Sequence, residues 1–301
     1  MRAAAGIVQA REPVRLAAAP ISWGVCEVPG WGFQLDHQRV FRDAVRLGLR
    51  DIEAGPPGFL PSDARAAKGA LARDGVRVIG GFVTAVLHRP EGLEDALAVV
   101  DTRAAWLAAL GSEVLVLAAA SGRDDYDTPV ELTEPEWTTL LAALPRVVEI
   151  ARRRGLATAL HPHVGTAIER SETIDRVLQD SDVPLCLDTG HIFVGGGDPA
   201  RIARERPSRV GHVHLKDADA GLAAAVRERR IGYAQAIRLG LFRPLGAGAA
   251  RIADVLAALR AAHYQGWAVL EQDIALASPL SEANEPARDI ARSRDFANAG
   301  V

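Results

Sequence analysis

Short apolar runs alternate with longer amphipathic stretches along most of the chain, beginning near residue 15. Most of these runs are continuous rather than alternating with polar residues, which is typical of parallel strands buried on both faces. They predict strands at residues 15–22, 49–53, 76–83, 113–119, 157–161, 184–188, 210–216 and 267–271.

The amphipathic stretches between these strands have the spacing of helices. Thr133 before Glu134 and Ser171 before Glu172 are helix start signals. The segment 217–248 is longer than its neighbours and predicts an extra helix near 222–239 over the mouth of the fold. The remaining helices are predicted near residues 36–47, 62–74, 91–110, 134–154, 171–180, 198–205, 249–263 and 285–297.

This strand–helix repeat, without a break in composition, predicts a single (β/α)8 TIM barrel over residues 1–301, with 1–14 as a flexible N-terminus. The alternative is an open doubly wound sheet, since alternation alone does not show closure. That fold usually needs a Gly-rich phosphate turn after its first strand, and residues 20–24 do not form one. The run 195–197 is better interpreted as a loop before a helix cap.

The composition of the chain disfavours several classes of protein. The formal net charge of −3 disfavours a nucleic-acid binder, which usually has a basic face. Two cysteines are too few for a disulfide framework. Residues 1–14 lack the apolar core of a signal peptide, and no run approaches the roughly 20 apolar residues of a membrane span. We therefore expect a soluble cytoplasmic protein with no nucleic-acid or membrane partner, and the sequence allows a homo-oligomer.

Polar side chains stand at the ends of the predicted strands, where TIM barrels gather their functional groups. Glu53, Asp188 and Glu271 end three strands, and five of the eight histidines also lie at strand ends. Such a cluster of nitrogen and oxygen donors suits Mn²⁺, Co²⁺, Mg²⁺ or Zn²⁺. The five histidines are His161, His163, His191, His212 and His214.

Several sequence segments around these strand ends resemble a known protein family. The segments 161–166, 187–191, 211–217 and 266–273 are similar to the xylose-isomerase-like TIM barrel superfamily. Within it they resemble the sugar phosphate isomerase/epimerase group, and most of all the inosose dehydratase branch of myo-inositol catabolism. Segments 19–24 and 52–61 resemble the same branch more weakly.

The resemblance implies one divalent metal ion, Mn²⁺ or Co²⁺ first and Mg²⁺ or Zn²⁺ as alternatives. Its ligands would be Asp188, His214 and Glu271, with His161 in the fourth position. Ketose 3-epimerases similar to this group have a glutamate at that position and move a proton with two carboxylates. The replacement by His161 therefore favours dehydration of a small sugar or cyclitol over epimerisation.

A metal-bound carbonyl acidifies the neighbouring carbon–hydrogen bond, so a base must lie close to it. Glu271, His163 and Lys216 are the candidates. Lys216 is one of only two lysines, and a nearby cation would lower its pKa enough for proton transfer. The alternatives for Lys216 are a surface lysine and an ion pair with Asp217. In a dehydration, His191 or His163 would protonate the leaving hydroxyl.

The substrate pocket is expected to include Trp23, Glu53, His191 and Lys216. An aromatic face at Trp23 would pack against a sugar ring, and ordinary core packing is its alternative. His212 shares a strand face with His214, because side-chain direction repeats every two residues, and is interpreted as a packed barrel residue.

The sequence thus favours a metal-dependent lyase or isomerase with inosose-dehydratase-like chemistry. A ketose or sugar phosphate isomerase or epimerase is the first alternative. An endonuclease IV-like phosphoester hydrolase would need several zinc ions and a basic DNA groove. A non-catalytic sugar-binding barrel is the last alternative, suggested by the replacement at His161.

Overall fold

The computed structural model describes residues 14–278 and 286–299. Within them eight parallel strands form a closed barrel, in which neighbours in the chain pair around the ring and the last strand pairs with the first. The predicted TIM barrel is confirmed, and the open-sheet alternative is wrong. Of the predicted N-terminal segment, residues 1–13 lie outside the described residues. The barrel strands are β1 (Arg15–Ala18), β2 (Asp51–Glu53), β3 (Arg77–Ala85), β4 (Val114–Ala119), β5 (Ala157–Leu160), β6 (Leu185–Asp188), β7 (Val210–Leu215) and β10 (Trp267–Leu270).

The strands bury both faces, as their apolar composition requires. One small cluster of side chains joins Val116, Ala159 and Cys186 from neighbouring strands, while a much larger core packs strands against helices. The first strand ends earlier than predicted, at Ala18, because Pro20 begins a 3-10 turn over Pro20–Trp23. Proline has no backbone N–H to continue a strand ladder.

Helices follow the strands on the outside of the barrel. Thr133 caps the helix Glu134–Arg153 and exchanges hydrogen bonds with Glu136, as its start signal predicts. Ser171 is the first residue of the helix Ser171–Asp180 rather than its cap. The short helix Thr189–Val194 was not predicted. The helices are α1 (His37–Arg46), α2 (Ala64–Asp74), α3 (Leu93–Leu110), α4 (Glu134–Arg153), α5 (Ser171–Asp180), α6 (Thr189–Val194), α7 (Pro199–Glu205), α8 (Ala220–Arg227), α9 (Tyr233–Arg238), α10 (Ile252–Ala261) and α11 (Pro286–Asn298).

The long segment after β7 differs from its prediction. Instead of one helix near 222–239 it contains α8 and α9, framed by an antiparallel pair of short strands, β8 (Asp217–Ala218) and β9 (Phe242–Arg243). The two helices separate at Arg229, whose φ of 58° is left-handed. The segment packs a second core with Trp31 and Val164 from the barrel loops. None of the helices in the described ranges is long and apolar enough to cross a membrane.

Candidate active site and metal centre

The ends of four barrel strands bring His161, Asp188, His214 and Glu271 together, with one donor atom from each within 4.8 Å of the others. His161 Nε2 lies 3.1 Å from Asp188 Oδ2. His214 Nδ1 lies 3.1 Å from Glu271 Oε2 and 3.5 Å from Asp188 Oδ2. All four side chains are buried. Two imidazole nitrogens and two carboxylates thus face one small volume.

This donor set fits a divalent cation. Burial opposes a positive charge on His214, but the acidic groups of Cys186, Glu271 and Glu53 outweigh it and raise the pKa of the imidazole well above its ordinary value. The buried Nδ1 of His214 has no hydrogen-bond partner of good geometry, although two carboxylates surround it. An environment that favours a proton at Nδ1 also favours a metal ion there, because both carry positive charge.

Glu53 lies behind the cluster, at the end of β2. Its Oε1 accepts hydrogen bonds from Nε2 of His212 at 2.9 Å and Nε2 of His214 at 3.1 Å. Burial raises the pKa of Glu53, but the two histidines reverse the effect and hold it well below its usual range. Glu53 lines the cavity, and its Oε1 also orients His214. His212 is fully buried beneath the cluster, which matches its interpretation as a packed barrel residue.

Lys216 is buried among carboxylates. Its Nζ lies 3.3 Å from Asp188, 2.9 Å from Glu271 and 2.8 Å from Asp273. Burial disfavours the ammonium, but the three carboxylates outweigh it and raise the pKa of Lys216 well above its ordinary value. The predicted lowering of this pKa depended on a cation beside Lys216, and the surrounding carboxylates act in the opposite direction.

Both predicted alternatives, a surface lysine and an ion pair with Asp217, are wrong, because Lys216 is buried and pairs with other carboxylates. The Asp217 carboxylate instead accepts hydrogen bonds from the backbone N–H groups of Gly246, Gly248 and Ala250. Residues next to each other in an extended segment project to opposite sides. Asp217 thus holds the loop before α10, while Lys216 enters the site.

Asp273 and Tyr233 are two of the cavity residues that sequence reasoning missed. Asp273 lines the cavity, and its Oδ2 accepts a hydrogen bond of 2.9 Å from the hydroxyl of Tyr233 on α9. Burial is the largest cause of the raised pKa of Asp273. The spacing Glu271–x–Asp273 could have indicated the second carboxylate. No pattern in the sequence pointed to Tyr233, because its place depends on how the inserted segment folds.

His163 and His191 form a close pair that lines the cavity, with ring centroids 3.9 Å apart and ring planes tilted by 34°. Burial lowers the pKa of His163 to about 3 and that of His191 well below its ordinary value. Both rings are therefore neutral near pH 7. Nε2 of His191 lies 3.8 Å from Oδ2 of Asp273.

The site opens into a cavity of about 740 Å³. Trp31, Tyr126 and Tyr233 form an aromatic wall on it. Trp23, predicted to contact substrate, is wholly buried in the core between strands and helices, so that prediction is wrong. The turn that follows Pro20 carries the Trp23 side chain inward, and Trp31 lines the cavity instead.

A family model and curated protein sequences match this chain over most of its length. Residues 41–297 match the family model described as xylose isomerase-like TIM barrel. The inosose dehydratase of Geobacillus thermodenitrificans is 30% identical over 282 residues, which cover 90% of this chain and 94% of that protein. The inosose dehydratase of Clostridium tetani is 28% identical over 91% of this chain and 95% of its own length.

Solved structures share the same fold. The IolI protein with a bound zinc atom has a TM-score of 0.69 at 13% identity, over 93% of this chain and 95% of that chain. The D-allulose 3-epimerase from a Methylomonas species, in complex with D-allulose, has a TM-score of 0.68 at 15% identity, over 96% and 98%. At such identities the likeness concerns the fold alone.

Proposed function

We propose that this chain, which belongs to the xylose isomerase-like TIM barrel family, is a metal-dependent dehydratase of a keto-cyclitol such as an inosose. It is an enzyme in the range of sugar and cyclitol lyases and isomerases, as its match to inosose dehydratases over nine-tenths of its length supports. One observation carries the proposal: the buried group His161, Asp188, His214 and Glu271 at the base of the cavity.

These four residues would hold one divalent cation. The mixture of imidazole and carboxylate donors suits Mn²⁺ or Co²⁺ first, with Mg²⁺ and Zn²⁺ as alternatives. When bound, the cation supplies Lewis acidity that polarises a substrate carbonyl and so acidifies the adjacent carbon–hydrogen bond. We propose that the substrate is a small sugar or cyclitol, which the cavity of about 740 Å³ has room to hold.

The chain's own residues would move the proton. Glu271 and His163 remain the proposed bases, and we add Asp273, which lines the cavity outside the four-donor group. Lys216 is held as a cation between carboxylates, so we propose that it donates hydrogen bonds and balances charge instead of accepting the proton. His191 and Lys216 would contact substrate from the cavity wall.

Epimerisation or isomerisation of a ketose or sugar phosphate is the second candidate. The epimerase-like neighbours share the fold, but His161 occupies the strand-five position where such enzymes were expected to have glutamate. An imidazole 3.1 Å from Asp188 fits a metal ligand better than a second proton-moving carboxylate. Dehydration therefore remains the preferred reaction.

A multi-zinc hydrolase is disfavoured by the donor geometry. Each candidate metal group among the described residues contains His214, so three separate ions would compete for one imidazole. A non-catalytic sugar-binding barrel would show tight ligand binding without turnover. Both alternatives are distinguished by the experiment below.

We propose a cytoplasmic location as well. Cys26 and Cys186 are free thiols, which fits a reducing compartment.

The test is to strip the protein with a chelator, reload it with Mn²⁺, Co²⁺, Mg²⁺ or Zn²⁺, and count metals per chain by elemental analysis. NMR then follows a panel of keto-inositols and ketoses. We expect one metal per chain and loss of water from a keto-inositol, both abolished in Asp188→Asn. Asp219→Asn, at the half-exposed cap of α8, is the matched control. An unchanged panel would contradict the proposal, and three metals per chain would favour a hydrolase.

A further inference from the structure

Arg229 joins three segments of the chain near the mouth of the barrel. Its Nη2 donates to both carboxylate oxygens of Glu169 at 3.1 Å, and its Nη1 donates to the carbonyl oxygen of Tyr126 at 3.4 Å. Glu169 lies in the loop after β5, Tyr126 lies in the loop after β4, and Arg229 lies between α8 and α9. One guanidinium therefore ties the inserted segment 217–248 to two loops of the barrel.

The ion pair between Glu169 and Arg229 is largely shielded from water. The side chain of Glu169 is 8% exposed and that of Arg229 is 22% exposed. Oε2 of Glu169 also accepts a hydrogen bond of 3.1 Å from the N–H of Gly165. Loss of either partner would leave the other charge shielded from water without its counter-charge, which is unfavourable. The pair therefore holds one defined geometry, unlike the exposed ion pairs on the outer helices.

The backbone of Arg229 is left-handed, with a φ of 58°. This conformation is unfavourable for a residue with a Cβ, and glycine or asparagine adopts it more easily. Such conformations persist where the surrounding contacts enforce them. Arg229 thus forms the turn from α8 to α9 and anchors that turn through its side chain.

The loop after β4 also holds the start of α9. The N–H of Tyr233, the first residue of α9, donates to Oδ1 of Asp127 at 2.7 Å. Asp127 directly follows Tyr126, whose carbonyl binds Arg229. A Cβ on Gly232 would lie 2.6 Å from Oδ2 of Asp127, so glycine permits this close approach. The inserted segment is therefore fixed to one loop at two points, four residues apart.

Tyr233 extends from this anchored end of α9 to the candidate base. Its hydroxyl donates to Oδ2 of Asp273 at 2.9 Å, while Nζ of Lys216 lies 2.8 Å from Oδ1. Tyr233 itself is 1% exposed. A carboxylate contacted at both oxygens has little freedom to rotate. The orientation of Asp273 thus depends on where the inserted segment places Tyr233.

We propose that Glu169 and Arg229 are positioning residues, whose ion pair fixes the inserted segment so that Tyr233 holds the carboxylate of Asp273 in its reactive orientation. This inference goes beyond the proposed function but rests on it, because Asp273 is a candidate base there. The cavity walls formed by the described residues include neither Glu169 nor Arg229. Both therefore act through Tyr233 and not on the substrate.

The first test is ¹³C NMR of protein labelled at the Cζ atom of tyrosine and loaded with diamagnetic Mg²⁺. The chain contains three tyrosines, so Tyr126→Phe and Tyr264→Phe identify the signal of Tyr233. The Cζ shift responds to the hydrogen bond of the hydroxyl. We expect this resonance to move in Arg229→Asn, because the Tyr233 hydroxyl loses its fixed place on Asp273.

The choice of variants separates the side chain of Arg229 from its backbone. Asparagine tolerates a left-handed φ, so Arg229→Asn removes the guanidinium and keeps the turn. Glu169→Gln removes the charge of the partner, while its amide oxygen can still accept from Gly165. It should move the Tyr233 resonance as well, and it serves as the test if Arg229→Asn does not fold. A Tyr233 resonance at its wild-type position in either folded variant would overturn the proposal.

Arg230→Asn is the matched control. Arg230 is the next residue in the chain, its side chain is 59% exposed, and it pairs with the exposed Glu228. This variant should leave the Tyr233 resonance unchanged. An equal shift in Arg230→Asn and Arg229→Asn would show that any change in this turn disturbs Tyr233, which would also contradict a specific role of the ion pair.

Turnover of a keto-inositol tests the consequence for catalysis. We expect Arg229→Asn to lower kcat by roughly 10–100-fold, because a small displacement of a base slows proton transfer. KM should change by less than about twofold, because the lost contact does not bind substrate. Arg229→Lys should recover part of kcat, since its ammonium can still pair with Glu169. A higher KM with unchanged kcat would contradict the proposal.

A double-mutant cycle shows whether Arg229 acts through Tyr233. Tyr233→Phe removes the hydroxyl that contacts Asp273, so adding Arg229→Asn to it should lower kcat little further. Independent, multiplying losses would overturn the proposal. The NMR result does not depend on turnover. If no keto-inositol reacts but the Tyr233 resonance moves as expected, the proposed function fails and the positioning of Tyr233 stands. If the enzyme is active and the resonance does not move, the positioning proposal alone fails.

Discussion

Oε1 of Glu53 accepts a hydrogen bond of 3.1 Å from Nε2 of His214, across the inside of the barrel. The opposite ring nitrogen of His214, Nδ1, faces Glu271 at 3.1 Å. One carboxylate therefore fixes the proton of the imidazole on the far side and leaves Nδ1 free for the four-donor group. Carboxylates that orient metal-binding histidines in this way raise the basicity of the ligand.

Replacing Glu53 should weaken metal binding without removing a ligand. In Glu53→Ala, His212 and His214 lose their shared acceptor, and His214 can turn or change tautomer. We expect metal affinity to fall by about 10–100-fold, and Glu53→Gln to lose less because its amide oxygen still accepts. Competition with a chelating dye measures the change. Glu27→Gln, an exposed carboxylate on the cavity wall, is the control, and equal losses in both would contradict the orienting role.

Lys216 should stabilise the metal-free protein more than the metal-loaded protein. Lys216→Met leaves the carboxylates of Glu271 and Asp273 buried without their cation. Breaking a buried ion pair in this way costs about 3–5 kcal/mol. A bound divalent cation would replace part of the lost positive charge, so metal should raise the stability of the variant more than that of wild type.

Urea unfolding with and without Mg²⁺ checks this expectation. The chain provides a matched control in Lys68→Met, because Lys68 is the second of the two lysines and is exposed on α2. That variant should unfold as wild type does in both conditions. A metal-induced stabilisation of Lys216→Met no greater than that of wild type would show that the ammonium does not balance the charge of this site.

His163 should make stability depend on pH in the acid range. Its pKa falls from 6.5 to about 3 on folding because burial disfavours the cation. The unfolded chain therefore binds a proton below about pH 6.5 that the folded chain refuses. This contribution to stability is complete above pH 6.5 and is lost as the pH falls toward 3, with a slope of up to about 1.4 kcal/mol per pH unit.

Comparing wild type with His163→Gln separates the contribution of His163 to the pH dependence of stability from that of other buried groups. We expect the unfolding free energy of chelator-treated His163→Gln to fall less steeply between pH 6 and 4 than that of wild type. Over the range 4.5 to 2, Glu271 adds a loss in both proteins, because its pKa is lowered to about 2. His37→Gln, outside the site, should keep the wild-type slope, and an unchanged slope in His163→Gln would contradict a neutral buried ring.

The sequence could predict the barrel and the convergence of His161, Asp188, His214 and Glu271 for one physical reason. In a closed parallel barrel the carboxyl ends of all strands lie on the same rim, so polar residues at these ends lie close together. This does not depend on the exact positions of the helices. Each of the four predicted strands ends within about two residues of one of these side chains. That accuracy is enough to predict that the four side chains meet. This part of the site depends on topology alone.

The other features of the site could not be predicted from the sequence, because they depend on local backbone geometry and on tertiary packing. Trp23 was misplaced because a 3-10 turn, not a strand, sets its direction. The partners of Lys216 were misjudged because its neighbour in the chain, Asp217, faces the backbone of another loop. Tyr233 reaches Asp273 from a segment whose fold no periodic pattern revealed. Such contacts join residues far apart in sequence, and spacing carries little information about them.

Gly190 leaves room for the stem of Lys216, which passes over the start of α6. A Cβ built on Gly190 would lie 2.6 Å from Cγ and 2.8 Å from Cβ and Cδ of Lys216. These atoms belong to the part of the side chain nearest the backbone, so they cannot move aside as the terminal ammonium group could. We therefore expect Gly190→Ala to move Nζ from its carboxylates and to lower stability by about 1–3 kcal/mol.

A double-mutant cycle with Lys216→Ala tests whether the stem is the obstacle. If it is, Gly190→Ala should cost less stability in the Lys216→Ala background, because no stem remains to be displaced. Gly69→Ala is the control, because it lies within α2 and its Cβ would meet only the guanidinium tip of Arg73, at 3.7 Å. This substitution should stabilise the protein by about 0.5–1 kcal/mol. An equal cost of Gly190→Ala in both backgrounds would mean that the helix itself, rather than Lys216, requires glycine at this position.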